Sequence, residues 1–187
     1  KERILKDGVV KPGNILKVDS FLNHQVDMEL MRQCGDAFAE HFRGKGITRV
    51  LTVESSGIAP AGMAALALGV PLVFLKKKTS RITAGDVYQT PVQSFTKGTR
   101  YELTVASRYL PAGEKVLFID DFLAMGEAAL GVARLVKEAG SEIAGIGIVI
   151  EKSFQPGRKK LEAAGFDVFS LARVKTMREG AIEFVEE

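Results

Sequence analysis

Apolar residues along this chain alternate between helical and strand spacing. Over residues 27–43, Leu30, Met31, Cys34, Phe38 and Phe42 share one helical face, and Asp27 stands where an N-cap belongs. Arg49–Val53 reads as a strand, followed by the turn Glu54-Ser55-Ser56-Gly57 and an Ala-rich helix that stops at Gly69. Val70–Leu75 is the next expected strand. Residues 76–90 are polar and carry Gly85, which predicts a long mobile loop, and strand-like runs recur near Val92–Phe95 and Glu102–Ala106.

The run Val116–Ile119 predicts a buried strand that ends at two adjacent carboxylates, Asp120 and Asp121. A loop of small residues then opens a helix over about 126–139, closed by Gly140. Ile143–Ile150 is a nearly continuous apolar strand, 157–164 a short helix, and Val168–Leu171 and Ile182–Val185 are the last strands. Strands this apolar belong to a sheet covered on both faces. The pattern therefore predicts a three-layer α/β fold with a mainly parallel central sheet. With no repeat or low-complexity linker, 187 residues fit a single domain, 1–187.

Such sheets collect ligands outside the carboxyl ends of their strands. Four chemically suggestive segments begin there: 54–57, 76–78, 120–128 and 151–157. Asp120 and Asp121 offer acceptors for sugar hydroxyls or for a hydrated magnesium ion. Ala124, Gly126 and Ala128 let an anion approach the unpaired N–H groups of the following helix. A plain strand–turn–helix with capping carboxylates has the same pattern. Likewise, Glu54–Gly57 fits either a phosphate-binding turn or a serine-capped helix start, and Lys76 and Lys77 fit either an anion site or a solvated face.

Composition removes several other functions. The chain is 46% hydrophobic and 26% charged, as in ordinary globular domains. Its apolar runs fall short of the roughly 18 residues a membrane span requires. Cys34 is the only cysteine, which excludes an internal disulfide or a cysteine-rich zinc site. The net charge of +3 is small, and Lys76-Lys77-Lys78 and Arg158-Lys159-Lys160 are not interleaved with aromatics, so no nucleic-acid partner is expected. No secretory pattern is visible, which makes the cytoplasm the expected location. His24 and His41 lack the spacing of a metal or catalytic pair.

The thirteen residues Val116–Ala128 closely resemble the phosphoribosyl-pyrophosphate signature of the type I phosphoribosyltransferase family. Leu16–Gln25, Glu54–Pro60 and Gly145–Gly157 look like the bacterial members of its purine branch that act on xanthine. The resemblance implies the family fold with a small hood. It also implies transfer of a phosphoribosyl group from 5-phosphoribosyl 1-pyrophosphate to xanthine, giving xanthosine 5′-monophosphate and pyrophosphate. In its terms Asp120 and Asp121 hold the ribose, and Ala124, Met125, Gly126, Glu127 and Ala128 hold the 5-phosphate. Glu54, Ser55, Ser56 and Gly57 with Lys76 and Lys77 take the pyrophosphate, while Leu16, Asn23, Lys152 and Phe154 meet the purine. Magnesium (Mg2+) is carried by the substrate without a direct protein ligand, and Asp120 and Asp121 reach it at most through water. A lid extends through Phe95-Thr96-Lys97, and the molecule is a homodimer.

For several of these residues the sequence leaves a second role open. Lys152 fits an oxopurine edge or a pairing with Glu151; Leu16 and Phe154 fit a base pocket or the core; Asn23 fits a base contact or a turn. Ala124 stands where hypoxanthine–guanine enzymes of the family carry an acid, so the signature contains no evident general base. Met125 and Glu127 also depart from the family's usual small residues, and a phosphate site requires the Glu127 carboxylate to point away. Two rivals share the signature: an adenine phosphoribosyltransferase, which has the same alanine, and a purine-responsive regulator that only senses the pyrophosphate donor.

Overall fold

A computed structural model describes residues 1–78, 87–94 and 99–186. Two helices built from the expected periodicities cover one face of the central sheet. Asp27 caps α2 (Met28–His41), its carboxylate accepting the Leu30 N–H at 3.1 Å, and α3 (Ile58–Leu68) ends at a left-handed Gly69. On the opposite face lie α4 (Glu127–Glu138) and the short α5 (Gly157–Ala163). The N-terminal α1 (Glu2–Asp7) and the hairpin of β1 (Val9–Lys11) and β2 (Ile15–Lys17) form the small hood, followed by a π-helical turn at Asp19–Asn23. These pieces are too short to show a period in sequence, and none was foreseen.

The sheet has eight strands: β3 (Arg49–Val53), β4 (Leu72–Lys78), β5 (Val87–Ser94), β6 (Thr99–Ala106), β7 (Lys115–Leu123), β8 (Glu142–Lys152), β9 (Val168–Arg178) and β10 (Ala181–Phe184). Their spatial order is β10-β9-β8-β7-β3-β4-β6-β5. The five central strands run parallel, while β10, β6 and β5 join antiparallel at the two edges. The three-layer, mainly parallel architecture read from the sequence is therefore the observed one.

Period-two alternation along β7 explains the layering. Leu117 and Ile119 enter the core beneath α2 and α3, with Phe38, Phe42, Ala61 and Ala64. Val116 and Phe118 enter the core beneath α4, with Val132, Leu135 and Val136. Glycines on β8 admit the largest side chains: a methyl group on Gly145 would collide with the Phe42 ring, and one on Gly147 would lie 2.8 Å from Phe38 Cδ1.

Several boundaries differ from the sequence reading, among them the last long strand, expected over Val168–Leu171, which runs on to Arg178. The aspartates do not end β7, which continues to Leu123 because Asp120, Phe122 and Leu123 still pair with Ile148, Ile150 and Glu151 of β8. Residues 76–78 and 87–90, expected in a loop, are strand: Lys76, Lys77 and Lys78 pair with Thr104, Leu103 and Glu102 of β6. Tertiary pairing has overridden polar composition there. The remainder of the expected loop and the Phe95-Thr96-Lys97 lid lie outside the described residues.

Gly145→Ala should destabilise the fold by about 1–3 kcal/mol through overpacking against Phe42. A lower urea midpoint with an unchanged slope is the expected observation; an unaltered midpoint would show that the α2 layer can yield.

Candidate active site

Two adjoining hollows open where β3, β4 and β7 end. Val53, Glu54, Ser55, Ser56, Lys77, Asp120 and Asp121 line the first, of about 370 Å³. Asp120 also borders the second, of about 160 Å³, formed with Gln93, Tyr101 and the stretch Phe122–Ala129. The aspartate pair thus stands between a polar turn on one side and a helix N-terminus on the other.

The first hollow is shaped by close backbone approach. The Glu54–Ser55 peptide is cis, and the Glu54 carboxylate accepts the Lys77 N–H at 2.6 Å, tying the turn to β4. A side chain at Gly57 would strike Thr52 Oγ1 and reach within 3.4 Å of Asp120 Oδ1. Only glycine allows this turn to sit so near the carboxylate. Thr52 Oγ1 is buried with no hydrogen-bond partner among the described residues.

Asp120 Oδ1 accepts the Asp121 N–H at 3.0 Å, and Asp121 Oδ1 accepts the Phe122 N–H at 2.8 Å. Burial pushes the Asp120 carboxyl well above its usual range, and the adjacent Asp121 charge adds to the shift. Lys77 opposes it. The pair consequently favours whatever brings positive charge or hydrogen-bond donors to it. Lys77 Nζ also stands 5.6 Å from the centre of the Tyr101 ring, whose hydroxyl is shifted upward by burial and by Asp120.

In the second hollow, Gly126 at φ +83° turns the chain into α4. The loop before it is pinned by the Gly157 N–H, which donates to Ala124 O at 2.9 Å. A methyl group on Gly157 would overlap that carbonyl, so α5 abuts the loop directly. Glu127 does not leave this rim; Lys160 Nζ holds its carboxylate at 2.8 Å. The expectation that its side chain points away therefore fails; its charge is paired with Lys160 at the rim instead.

The turn that carries Lys152 and Phe154 is anchored from beneath. Glu151 is only 1% exposed, yet it accepts hydrogen bonds from Arg158 at 2.7–3.0 Å and from the Ser153 and Ser170 hydroxyls at 2.6 Å. Burial alone would raise its carboxyl, but the Arg158 bonds and the two hydroxyls overcome this and lower it to about 2. Lys152 is not paired with Glu151. Its ammonium donates to Asn14 O at 2.8 Å and lies 5.4 Å from the centre of the Phe122 ring. Burial lowers its pKa, with Asp121 opposing the shift.

The structure does not gather every residue expected at the site. Lys76 and Lys77 separate, as neighbours on a strand must: Lys77 faces the aspartates, whereas Lys76 borders a different groove with Leu72, Phe74, Arg108 and Tyr109. That removes Lys76 from the anion hollow. Leu16 is packed in the core with Ile4 and Phe21, and Asn23 is exposed at the end of the π-helical turn. Phe154 is 40% exposed on the anchored turn. Sequence reasoning missed Gln93, Tyr101 and Phe122 as lining residues. Tyr101 shares strand parity with buried Leu103 and Val105, the one signal that could have found it. Among the described residues no cluster of three or more His, Cys, Asp or Glu could hold a metal, so the aspartate pair alone does not form a protein cage.

The site is thus a parallel sheet whose central strand delivers two aspartates and then a tight turn into a helix. The chain belongs to the phosphoribosyl transferase domain family, whose pattern matches residues 23–176. It is 59% identical over 186 residues to xanthine phosphoribosyltransferase 1 of Clostridium botulinum strain Hall, covering 100% of this chain and 98% of that one. It is 50% identical over 186 residues to the xanthine phosphoribosyltransferase of Ectopseudomonas mendocina, with coverage of 100% and 98%. Among solved structures, the adenine phosphoribosyltransferase of Rhodothermus marinus superposes with a TM-score of 0.73 at 28% identity, over 90% of this chain and 95% of that one.

The depressed Glu151 carboxyl contributes stability that is complete above its ordinary value of 4.5 and is lost as pH falls through about 2. At pH 7, Glu151→Gln should cost about 3 kcal/mol, because it leaves the Arg158 guanidinium without its buried partner. Urea titrations at several pH values should show the gap from wild type closing as pH falls from about 4.5 toward 2. A gap independent of pH would remove the ion pair as its cause.

Proposed function

We propose that this protein is a purine-salvage enzyme: a xanthine phosphoribosyltransferase that joins xanthine to the ribose of 5-phosphoribosyl 1-pyrophosphate, forming xanthosine 5′-monophosphate and releasing pyrophosphate. The observation that carries the reading is the placement of Asp120 on both hollows, one suited to a pyrophosphate and the other to a terminal phosphate. Whole-chain identity of 59% and 50% to relatives named xanthine phosphoribosyltransferase supports the choice of base.

Within this reading, Asp120 and Asp121 accept the ribose hydroxyls, and the Ala124–Ala128 loop presents its N–H groups to the 5-phosphate. Glu54–Gly57 and Lys77 receive the pyrophosphate. A cation such as Lys152 at the base would favour an oxygen on the purine edge over an amino group, which supports xanthine over the adenine alternative. Phe154 and Asn23 are further proposed base contacts, and Leu16 supports that wall from the core. A hydrated magnesium ion fits the acceptor-only aspartate pair through its water shell, and when bound it would neutralise charge on the leaving pyrophosphate. The protein contributes position and electrostatic stabilisation as the glycosidic bond to pyrophosphate breaks and the purine nitrogen bonds to the same carbon.

A homodimer in the cytoplasm completes the proposal. Its motivation is the family resemblance together with the absence, among the described residues, of any helix long and apolar enough to cross a membrane.

Incubation with the donor, magnesium and each of xanthine, guanine, hypoxanthine and adenine should give nucleotide and pyrophosphate fastest from xanthine. No nucleotide from any oxopurine would overturn the reading. Lys152→Met should raise KM for xanthine about tenfold or more, since a charge-assisted hydrogen bond is lost; an unchanged KM would remove Lys152 from the base site.

Asp120→Asn should separate activity from stability. It should reduce kcat/KM by about a hundredfold or more. A carboxyl raised in the fold contributes most stability below its ordinary value of 3.8, and that contribution falls as pH rises through the raised value. The amide does not titrate, so the ligand-free variant should melt at a higher temperature than wild type at neutral pH. A lower Tm there would contradict the assigned burial of charge.

A further inference from the structure

The first residue of α4 is a glutamate placed where a phosphate monoester is proposed to bind. An anion at a helix N-terminus gains from the same partial positive charge that a bound phosphate would use. Glu127 therefore competes with the ligand, by repulsion and by occupying that field, unless its charge is cancelled. Lys160 Nζ meets Glu127 Oε1 at 2.8 Å.

This lysine is not a loosely tethered surface cation. It lies on α5, whose first residue donates its N–H to Ala124 O at 2.9 Å. The methyl-free Gly126 and Gly157 also approach closely: a Cβ on Gly126 would stand 3.2 Å from Gly157 Cα. Three contacts from α5 thus reach the loop 124–127, and Lys160 makes the only charged one among them. The carboxylate remains on the rim of the 160 Å³ hollow, within range of anything bound there.

We propose that Lys160 is a positioning and affinity-determining residue for the sugar-phosphate subsite: it restrains Glu127 and cancels its charge, keeping the Ala124–Ala128 N–H groups available to the phosphate. The inference rests on the phosphoribosyl reading above. Lys160 need not touch the substrate; it acts through Glu127.

The test uses ribose 5-phosphate as a minimal ligand in calorimetry, together with steady-state KM for the pyrophosphate donor. Lys160→Met should weaken ribose 5-phosphate binding and raise KM by about three- to tenfold, with kcat nearly unchanged. The loss should shrink at high salt, as an exposed charge effect must. Lys160→Met combined with Glu127→Gln should return both quantities to within about twofold of wild type, because the uncompensated carboxylate has been removed. Lys160→Met with wild-type affinity would overturn the inference. A weakened affinity that Glu127→Gln fails to rescue would also overturn it, assigning Lys160 to direct contact or simple packing. Wild-type protein that binds no ribose 5-phosphate would sink the site reading itself, and the inference with it.

Discussion

The buried Glu151–Arg158 pair is the constraint around which the functional end of this molecule is arranged. A carboxylate with 1% exposure is tolerable only if its lone pairs are filled, and here Arg158, Ser153 and Ser170 fill them. Arg158 belongs to α5 and Glu151 to β8, so satisfying the charge fixes the intervening turn 152–156. That turn carries Lys152 and Phe154. The residue that follows it, Gly157, clamps the loop before α4 through Ala124 O. One neutralised charge therefore sets both the proposed base side and the proposed phosphate side.

The aspartate pair follows the opposite logic. Glu151 is supplied with donors by its own fold, whereas among the described residues Asp120 and Asp121 accept only backbone N–H groups from their neighbours, with the Lys77 charge near Asp120. The two adjacent carboxylates repel each other, and burial penalises the charge on Asp120. Under the proposed function, hydroxyl donors and a hydrated cation would relieve this tension. In that reading stability and affinity draw on separate carboxylates: one is saturated by the protein, and the other pair is kept for a ligand.

Much of this was legible in the sequence because period and position carried it. The five central strands, the two long amphipathic helices and the Asp27 cap all left regular apolar spacing or a recognisable terminus. The strand bearing Asp120 and Asp121 was found for the same reason, but its end was not. What escaped was decided by partners distant in sequence. Strand β7 runs past its aspartates because β8 offers pairing up to Glu151. Lys76–Lys78 became strand because β6 lies alongside. Short hood elements had no period to display. Glu151, considered only as a companion for Lys152, instead found Arg158, a residue that sequence had placed in an ordinary basic triplet.

The two lysines of β4 show how far a motif can be carried before geometry must take over. Adjacent residues on a strand project to opposite faces, so Lys76 and Lys77 cannot both meet one ligand unless the strand ends between them. Because β4 continues to Lys78, only Lys77 enters the polar hollow, where it also stands over Tyr101 and partly opposes the upward shift of Asp120. Tyr101 is brought there from β6 by the same parity. An anion site read as a basic pair is, in space, a single lysine held between an aromatic ring and a carboxylate. Its positive charge is partly committed to the fold. In the proposed function the remaining attraction for phosphate comes from backbone N–H groups at the Glu54–Gly57 turn and the start of α4. Glycine at positions 57, 126 and 157 is what permits that approach.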